Sequence, residues 1–537
     1  MSILTLMDLL KIFFLDTVFG ASISGGEPQQ QQNQDCFVCR EANLTSSKCS
    51  NVFRSITPHS SKYPRTSVPC HYLKSEFKHS EGQLLDNSSH FLQRFASLFN
   101  KPHLSDVTLV VGDARFFAHK FILSALSDVF HVMLLDHSWS DHDKSSVTLL
   151  EEDMCAPVFE PFLRYFYTAT IHLTHDTVLA LLMLADKYNV CDLQVLCLEY
   201  MTSHLVTSVS RNQVVPWLQY AQLADHTLLQ EQCRDFICCN FRKVASTRFL
   251  FEMDACTLSS FLESSDLVIH DEFTLFVILS KWIQNQTSLA DSSDCDDVTV
   301  EFSNSDALEM LALIRFPMMT VEQLVQLNRE TIVKDHRQFF IRSVALAMQL
   351  HYNKLTADEK QFLTGNSHLV TARCYTTSQW CTDISVENFS NFPKFSTKST
   401  IFSSPVSTAQ ADENKRLEWE CVLYPKGVEI RKSFALFTWR KLEVPGQASE
   451  QIRLLLKTKD NAMRTCWSDV ALLIYGTQDG VEYVRRLYKR RLRFEKSQTA
   501  HFLNDFLLAE ELQSDGGFLL ELNDCLKIKI IVKPVSL

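Results

Sequence analysis

Glycine is scarce in this chain, 12 residues in 537, and that scarcity argues against architectures built on many tight turns. Glycine doublets occur twice, at Gly25-Gly26 and Gly516-Gly517, whereas a β-propeller would need them about every 50 residues. No apolar run reaches the ~18 residues of a membrane span. Acidic residues outnumber basic ones, 63 to 52, for a net charge of −11 and a pI near 5.9. Such a field repels phosphate, so no nucleic-acid partner is expected. The sequence has no G-x-S-x-G, no H-E-x-x-H, no P-loop and no G-x-G-x-x-G. Without a nucleophile elbow, a zincin helix or a phosphate cradle, the reading is non-enzymatic, with no cofactor and no metal.

Cysteine is present but dilute. Seventeen are spread along the chain, too thinly for a disulfide-stapled miniprotein, and the odd number leaves at least one without an internal partner. Cys36 and Cys39 form a C-x-x-C. The nearby Cys49 and Cys70 are singly placed, so disulfides or free thiols are favoured there over zinc. Cysteines such as Cys191, Cys197, Cys233, Cys238 and Cys239 fall among apolar residues and read as small buried hydrophobes. With 46% hydrophobic and 21% charged residues, the composition is that of an ordinary globular chain of about three or four domains.

Residues 1–20 decide the expected compartment. Ile3 to Phe19 is mostly apolar and ends in Val18-Phe19-Gly20-Ala21, which suits signal-peptidase cleavage after Gly20. Asp8, Lys11 and Asp16 interrupt the run, and the alternative is an amphipathic N-terminus. Four N-x-S/T acceptors, Asn43, Asn87, Asn285 and Asn388, fit a secreted glycoprotein. Residues 21–83, with Gln29 to Gln32 and scattered Ser and Pro, read as a flexible leader.

Order is expected from Asn87. The segment Asn87-Ser88-Ser89 offers caps, and Phe91, Leu92, Phe95, Leu98 and Phe99 line one face of a helix. So aromatic a helix needs a large apolar partner, its own domain or a second copy. Asp106 to Phe130 then compresses a strand, a Gly112-Asp113 hairpin, a second strand and a helix into 25 residues. In that helix Phe121, Ile122, Ala125, Val129 and Phe130 recur at helical spacing, opposite Ser124, Ser127 and Asp128. His119, at the junction, reads as a packing histidine with no nucleophile near it. A strand at Ser146 to Leu150 and helices at Pro157 to Tyr167, Thr177 to Tyr188 and Leu193 to Leu205 complete an α+β unit.

DVTLVVGDARFFAHKFILSALSDVF, FEPFLRYFYTATIHL and ALLMLADKYNVCDLQVLCLEYM resemble the successive segments of a BTB/POZ domain, over residues 87–207. Ala169 departs from the family's usual glycine. LVIHDEFTLFVILSKWI and LIRFPMM are similar to hallmarks of the all-α BACK domain, placed at 211–350. Between them the acidic DSSDCDDVTVEFSNSD reads as a solvated loop, its carboxylates lacking EF-hand spacing. Kelch repeats commonly follow; here the glycine count excludes them. After a loop-rich stretch, Thr371 to Asn414, strands are expected at Glu418–Leu423, Ser433–Thr438, Ile452–Leu456, Val470–Tyr475, Val481–Arg493, Gly517–Leu522 and Leu526–Val532. They suggest an antiparallel β-sandwich over 371–537. This order resembles the family of BTB/POZ domain-containing protein 17, whose last domain is TRAF-like. The BTB-BACK part is similar also to galectin-3-binding protein, without its Cys-rich scavenger-receptor module.

The resemblance implies self-association through the BTB domain. Phe91, Leu92, Phe95 and Leu98 are the expected dimer residues, with Asp106 and Lys120 as orienting charges. VRRLYKRRLRF, with Arg485, Arg486, Lys489, Arg490, Arg491 and Arg493, reads as a charged sheet edge that blocks strand addition, or as a contact for sulfated glycans. The expected function is a secreted, homo-oligomeric interaction scaffold that binds a protein ligand through its C-terminal domain. The alternative is an intracellular adaptor recruiting cullin-3 for ubiquitination.

Overall fold

The computed structural model describes residues 86–139, 143–207, 212–292, 302–406, 415–428, 451–459, 466–513, 517–520 and 524–535. The expected signal peptide and leader, Cys36, Cys39, Cys49, Cys70, Asn43 and the strand Ser433–Thr438 lie outside the described residues. Helix α1 (Ser88–Ala96) starts at Asn87, whose side chain makes no capping bond. Strands β1 (Val107–Val111) and β2 (Ala114–Ala118) form the hairpin across Gly112, which takes the left-handed φ of 55° that the turn needs. Strand β3 (Ser146–Leu149) runs parallel to β1, giving the order β2-β1-β3.

The helix after the hairpin is two helices, α2 (Lys120–Leu126) and α3 (Asp128–Leu135). Ser127 is extended between them. Its hydroxyl accepts the Phe130 N–H at 3.0 Å and donates to the Tyr188 carbonyl, a cap that depends on a residue 61 positions away. The break rotates the buried face. Ile122, Leu123 and Phe130 are inside, while Phe121 is 73% exposed and Val129 also faces outward. Helices α4 (Phe159–Thr168), α5 (Val178–Lys187) and α6 (Cys191–Ser203) cover the sheet and bury six of the ten α4 residues.

Helix α4 ends on Ala169 at φ 51°, ψ 23°, its N–H donating to the Tyr165 carbonyl at 2.8 Å. A left-handed alanine carries about 1–2 kcal/mol of Cβ strain, partly offset because glycine would lose more chain entropy on folding. Ala169→Gly is therefore expected to stabilise the chain by about 0.5–1 kcal/mol. Urea unfolding reads this as a higher midpoint; an unchanged or lower midpoint contradicts it.

An all-helical segment follows: α7 (Val214–Leu223), α8 (Thr227–Val244), α9 (Ala255–Glu263), α10 (Glu272–Ser292), α11 (Asn304–Ala312), α12 (Val321–Gln326), α13 (Thr331–Asp335), α14 (Arg337–His351) and α15 (Ala357–Gly365). Three of these starts are fixed by capping boxes, Ser303 with Asp306, Thr320 with Gln323 and Thr356 with Glu359. Helix α10 runs nine residues past the Ile283 that ends its apolar pattern. Short strand β4 (Val268–Ile269) pairs in parallel with β5 (Cys374–Tyr375), joining this segment to the C-terminal domain.

The last domain is a sandwich of two antiparallel four-stranded sheets. One has the order β11-β10-β13-β6 and the other β12-β9-β8-β7. Their strands are β6 (Cys381–Val386), β7 (Lys398–Pro405), β8 (Arg416–Tyr424), β9 (Arg453–Thr458), β10 (Cys466–Gln478), β11 (Val481–Phe494), β12 (Ala500–Leu503) and β13 (Leu526–Val535). Two corrections arise here. Strands β6 and β7 lie in the stretch read as loop, their alternation masked by Ser, Thr and Asp. The expected strand Gly517–Leu522 contributes only an isolated bridge, Leu520 to Cys525, among its described residues.

Burial along β10 explains its unbroken run Val470-Ala471-Leu472-Leu473-Ile474. Val470, Leu472 and Ile474 fill the sandwich core, while Ala471 and Leu473 join the core shared by the two preceding domains. Neighbouring strand residues point to opposite faces, so a strand apolar at every position has both faces covered. The sandwich is thus packed onto the helical segment through the outer face of its first sheet.

Candidate functional site

Two places gather the chemistry of this molecule, the outer face of α1 and the junction where the three domains meet. On α1, Phe91 and Leu92 are 59% and 47% exposed, and the Phe91 ring rests 4.7 Å from that of Phe95. Phe95 and Leu98 are half-buried and pack into the protomer's own core. Leu104, Phe117 and Phe121 are also exposed. The first two of these were not singled out from the sequence, and Phe121 was assigned to the core because α2 and α3 were read as one helix. Asp106 and Lys120 are joined, but through the backbone: the Asp106 carboxylate accepts the Lys120 N–H at 2.7 Å and so ties the strand entry to the start of α2. His119 is buried against Tyr167, whose hydroxyl lies 3.0 Å from Nδ1.

The junction holds a buried ionic network that sequence reasoning missed. Glu272, at the start of α10, and Arg373, just before β5, are both fully buried. Arg373 Nε donates to both Glu272 oxygens at 3.2–3.3 Å, Nη1 to the Ser264 carbonyl and Nη2 to the Leu313 carbonyl. The Tyr375 hydroxyl donates to Glu272 Oε2 at 2.6 Å. The Arg315 N–H donates to Oε1, and its guanidinium reaches the Thr371 and Glu263 carbonyls and the Ser265 hydroxyl. Burial and then the neighbouring Arg373 charge pull Arg315 down to about 10. Burial and the Glu272 carboxylate hold the Tyr375 phenol well above its usual value. A lone carboxylate thus holds one guanidinium, the Arg315 backbone N–H and a phenol, from positions 101, 43 and 103 residues away. The available signal was charge inside apolar surroundings, in HDEFTLF, LIRFP and ARCY.

A second clamp works on the edge of β11. Helix α8 kinks at Asn240, φ −122°, and its amide takes the place of a neighbouring strand. Nδ2 donates to the Val484 carbonyl at 2.9 Å and Oδ1 accepts the Val484 N–H at 2.8 Å. Next to it the β10–β11 register slips, leaving Arg485 as a bulge residue. Regular strand alternation would send Arg485 and Arg486 to opposite faces, as the sequence suggested. The bulge instead lays both guanidiniums over the Phe518 ring, at 4.7 and 5.0 Å.

Most charges of this strand are matched locally. Arg486 pairs with Glu511, Lys489 with Asp266, Arg490 with Asp505, Arg491 with Asp469 and Arg493 with Glu495. Of the glycosylation acceptors, Asn87 and Asn388 are exposed and Asn285 is half-buried within α10. Among the described residues no group of three or more His, Cys, Asp or Glu side chains is placed to hold a metal ion, and no helix is long and apolar enough to cross a membrane.

Comparison with known proteins agrees with this architecture. Residues 95–205 match the BTB/POZ domain, 214–329 the "BTB And C-terminal Kelch" domain and 370–536 the "BTBD17 TRAF domain". BTB/POZ domain-containing protein 17 of Xenopus laevis is 26% identical over 84% of this chain and 92% of its own length. That of Homo sapiens is 26% identical over 84% and 90%. Galectin-3-binding protein of Mesocricetus auratus is 24% identical over 56% of this chain and 49% of its own. The solved BTB domain of human gigaxonin is similar over 22% of this chain and 98% of its own, with 23% identity and a TM-score of 0.19. With BTB, BACK and TRAF domains in this order, the chain is similar to BTB/POZ domain-containing protein 17 over most of its length.

Proposed function

We propose that this chain is a secreted, glycosylated, non-enzymatic scaffold that self-associates through its BTB domain and holds its C-terminal sandwich out to a protein ligand. The observation that carries the reading is the outward-facing Phe91 and Leu92 on α1, large apolar side chains at the domain surface. Domain boundaries are proposed as 87–207, 211–350 and 371–537, behind a signal peptide at 1–20 and a leader at 21–83. Pairing two copies gives two ligand sites, so avidity rises without strong single contacts. The Glu272 and Asn240 clamps hold the sandwich against the helical BACK segment, which supports a fixed placement of the sandwich.

Expression of the full chain in mammalian cells tests the compartment. Glycosidase-sensitive protein in the medium is the expected result. Unglycosylated protein retained in the cytosol and co-precipitating cullin-3 contradicts it and favours the adaptor.

A further inference from the structure

Between the three domains lies a cleft of about 660 Å³, within the ~300–1,000 Å³ range that holds drug-sized ligands. The end of α6 forms one wall, α8 and α9 another, and the edge of β11 the third. Its charged lining comprises Arg234, Arg485, Arg486 and Lys489 against Asp235 and Asp266, four cations to two carboxylates. The cleft is therefore cationic in a chain whose net charge is −11. Leu205, Phe236 and Leu487 supply apolar surface.

Two of these cations are held in place by rings and not by carboxylates. Arg234 lies 5.0 Å over Phe261 on the helical wall, and Arg485 lies 4.7 Å over Phe518 on the strand wall. Among the described residues neither guanidinium is in an ion pair. Arg485 Nη1 donates to the Tyr483 hydroxyl at 2.8 Å, one use among the five N–H donors of a guanidinium. The chain is shaped around this side chain. Arg485 is the bulge residue, and Gly517 sits beneath it at φ 62°. A Cβ on Gly517 would meet Arg485 Nη1 at 3.0 Å, and one on Gly476 would meet the Gly517 carbonyl at 2.2 Å. Ring-stacked guanidiniums on facing walls present planar forks, the geometry that carboxylates accept in pairs.

We infer that this three-domain cleft is the docking site for a short acidic peptide segment of a partner protein, with carboxylates on Arg234 and Arg485 and an aliphatic side chain on the apolar lining. The inference rests on the scaffold reading and places the ligand at the junction, where all three domains contribute. Lys489 paired with Asp266, and Gln478 Nε2 on the Ser203 carbonyl at 2.7 Å, tie the walls together beside it.

The test uses the full chain and a fluorescein-labelled peptide of sequence GEELEEG, read by fluorescence anisotropy at about 50 mM salt, where screening is weak. Saturable binding is expected. Arg234→Met or Arg485→Met should each weaken it about tenfold or more, as loss of a charge-assisted pair implies. Arg234→Lys and Arg485→Lys keep the charge but lose the fork and should fall between, which carries the test if a Met variant does not fold. Arg490→Met, whose guanidinium pairs with Asp505, should leave affinity within about twofold. Absence of saturable binding, an Arg490→Met loss equal to that of Arg485→Met, or displacement of the peptide by a heparin hexasaccharide that binds tighter through the same two arginines overturns the inference. The oligomeric mass is measured separately, so failure here leaves the self-association result untouched.

Discussion

Glu272→Gln is expected to destabilise the chain by about 3–5 kcal/mol, the usual result of removing one partner from a buried ion pair. The substitution keeps size and shape, so the effect isolates charge. Arg373 and Arg315 would remain as buried cations 0% and 1% exposed, with no carboxylate to offset their desolvation. Both bind carbonyls from separate segments, Ser264, Leu313, Thr371 and Glu263, so the loss reaches the contact between the BACK and TRAF domains. Urea unfolding should show the loss, and limited proteolysis should show faster cleavage near residues 366–373, before β5. Arg373→Met in the same chain should cost less than the two single losses added, because the second substitution removes a charge the first left unpaired. Unchanged stability of Glu272→Gln, or simple additivity of the pair, would mean the network is not a lock.

At the other end of the molecule, Phe91→Asp and Leu92→Asp are expected to abolish self-association while leaving the protomer folded. Both side chains are largely exposed in the single chain, so neither is needed for its core. In a two-fold dimer each substitution is counted twice. Burying one such side chain is worth ~1.5–3 kcal/mol, so either change removes about 3–6 kcal/mol of association free energy, roughly a hundredfold or more in dissociation constant. Phe95→Asp is a poorer probe, since Phe95 also packs into its own domain. Sedimentation across a dilution series reads the constant directly. A variant that sediments as wild type, with unchanged far-ultraviolet circular dichroism, removes α1 from the interface.

Local patterns were legible in the sequence and distant partnerships were not. The β1–β2 hairpin followed from Val107 to Val111 and Gly112, and the basic run of β11 read directly as a strand. At Ser127 a local cap on the Phe130 N–H is joined to a bond with the distant Tyr188 carbonyl, and reading one continuous helix through it put Phe121 on the wrong side. Strands β6 and β7 read as loop because Ser, Thr and Asp dilute their apolar alternation. The bulge at Arg485 sits beside Val484, whose backbone is held by Asn240 of another domain. Glu272 and Arg373 meet across 101 positions, and no window of the sequence contains both.

Light scattering on the intact chain tests the central claim most directly. The account predicts a particle of two chain masses, each 61.7 kDa from sequence before any processing or glycosylation, falling to one mass for Leu92→Asp. A wild-type protein that stays at one chain mass at micromolar concentration would contradict it.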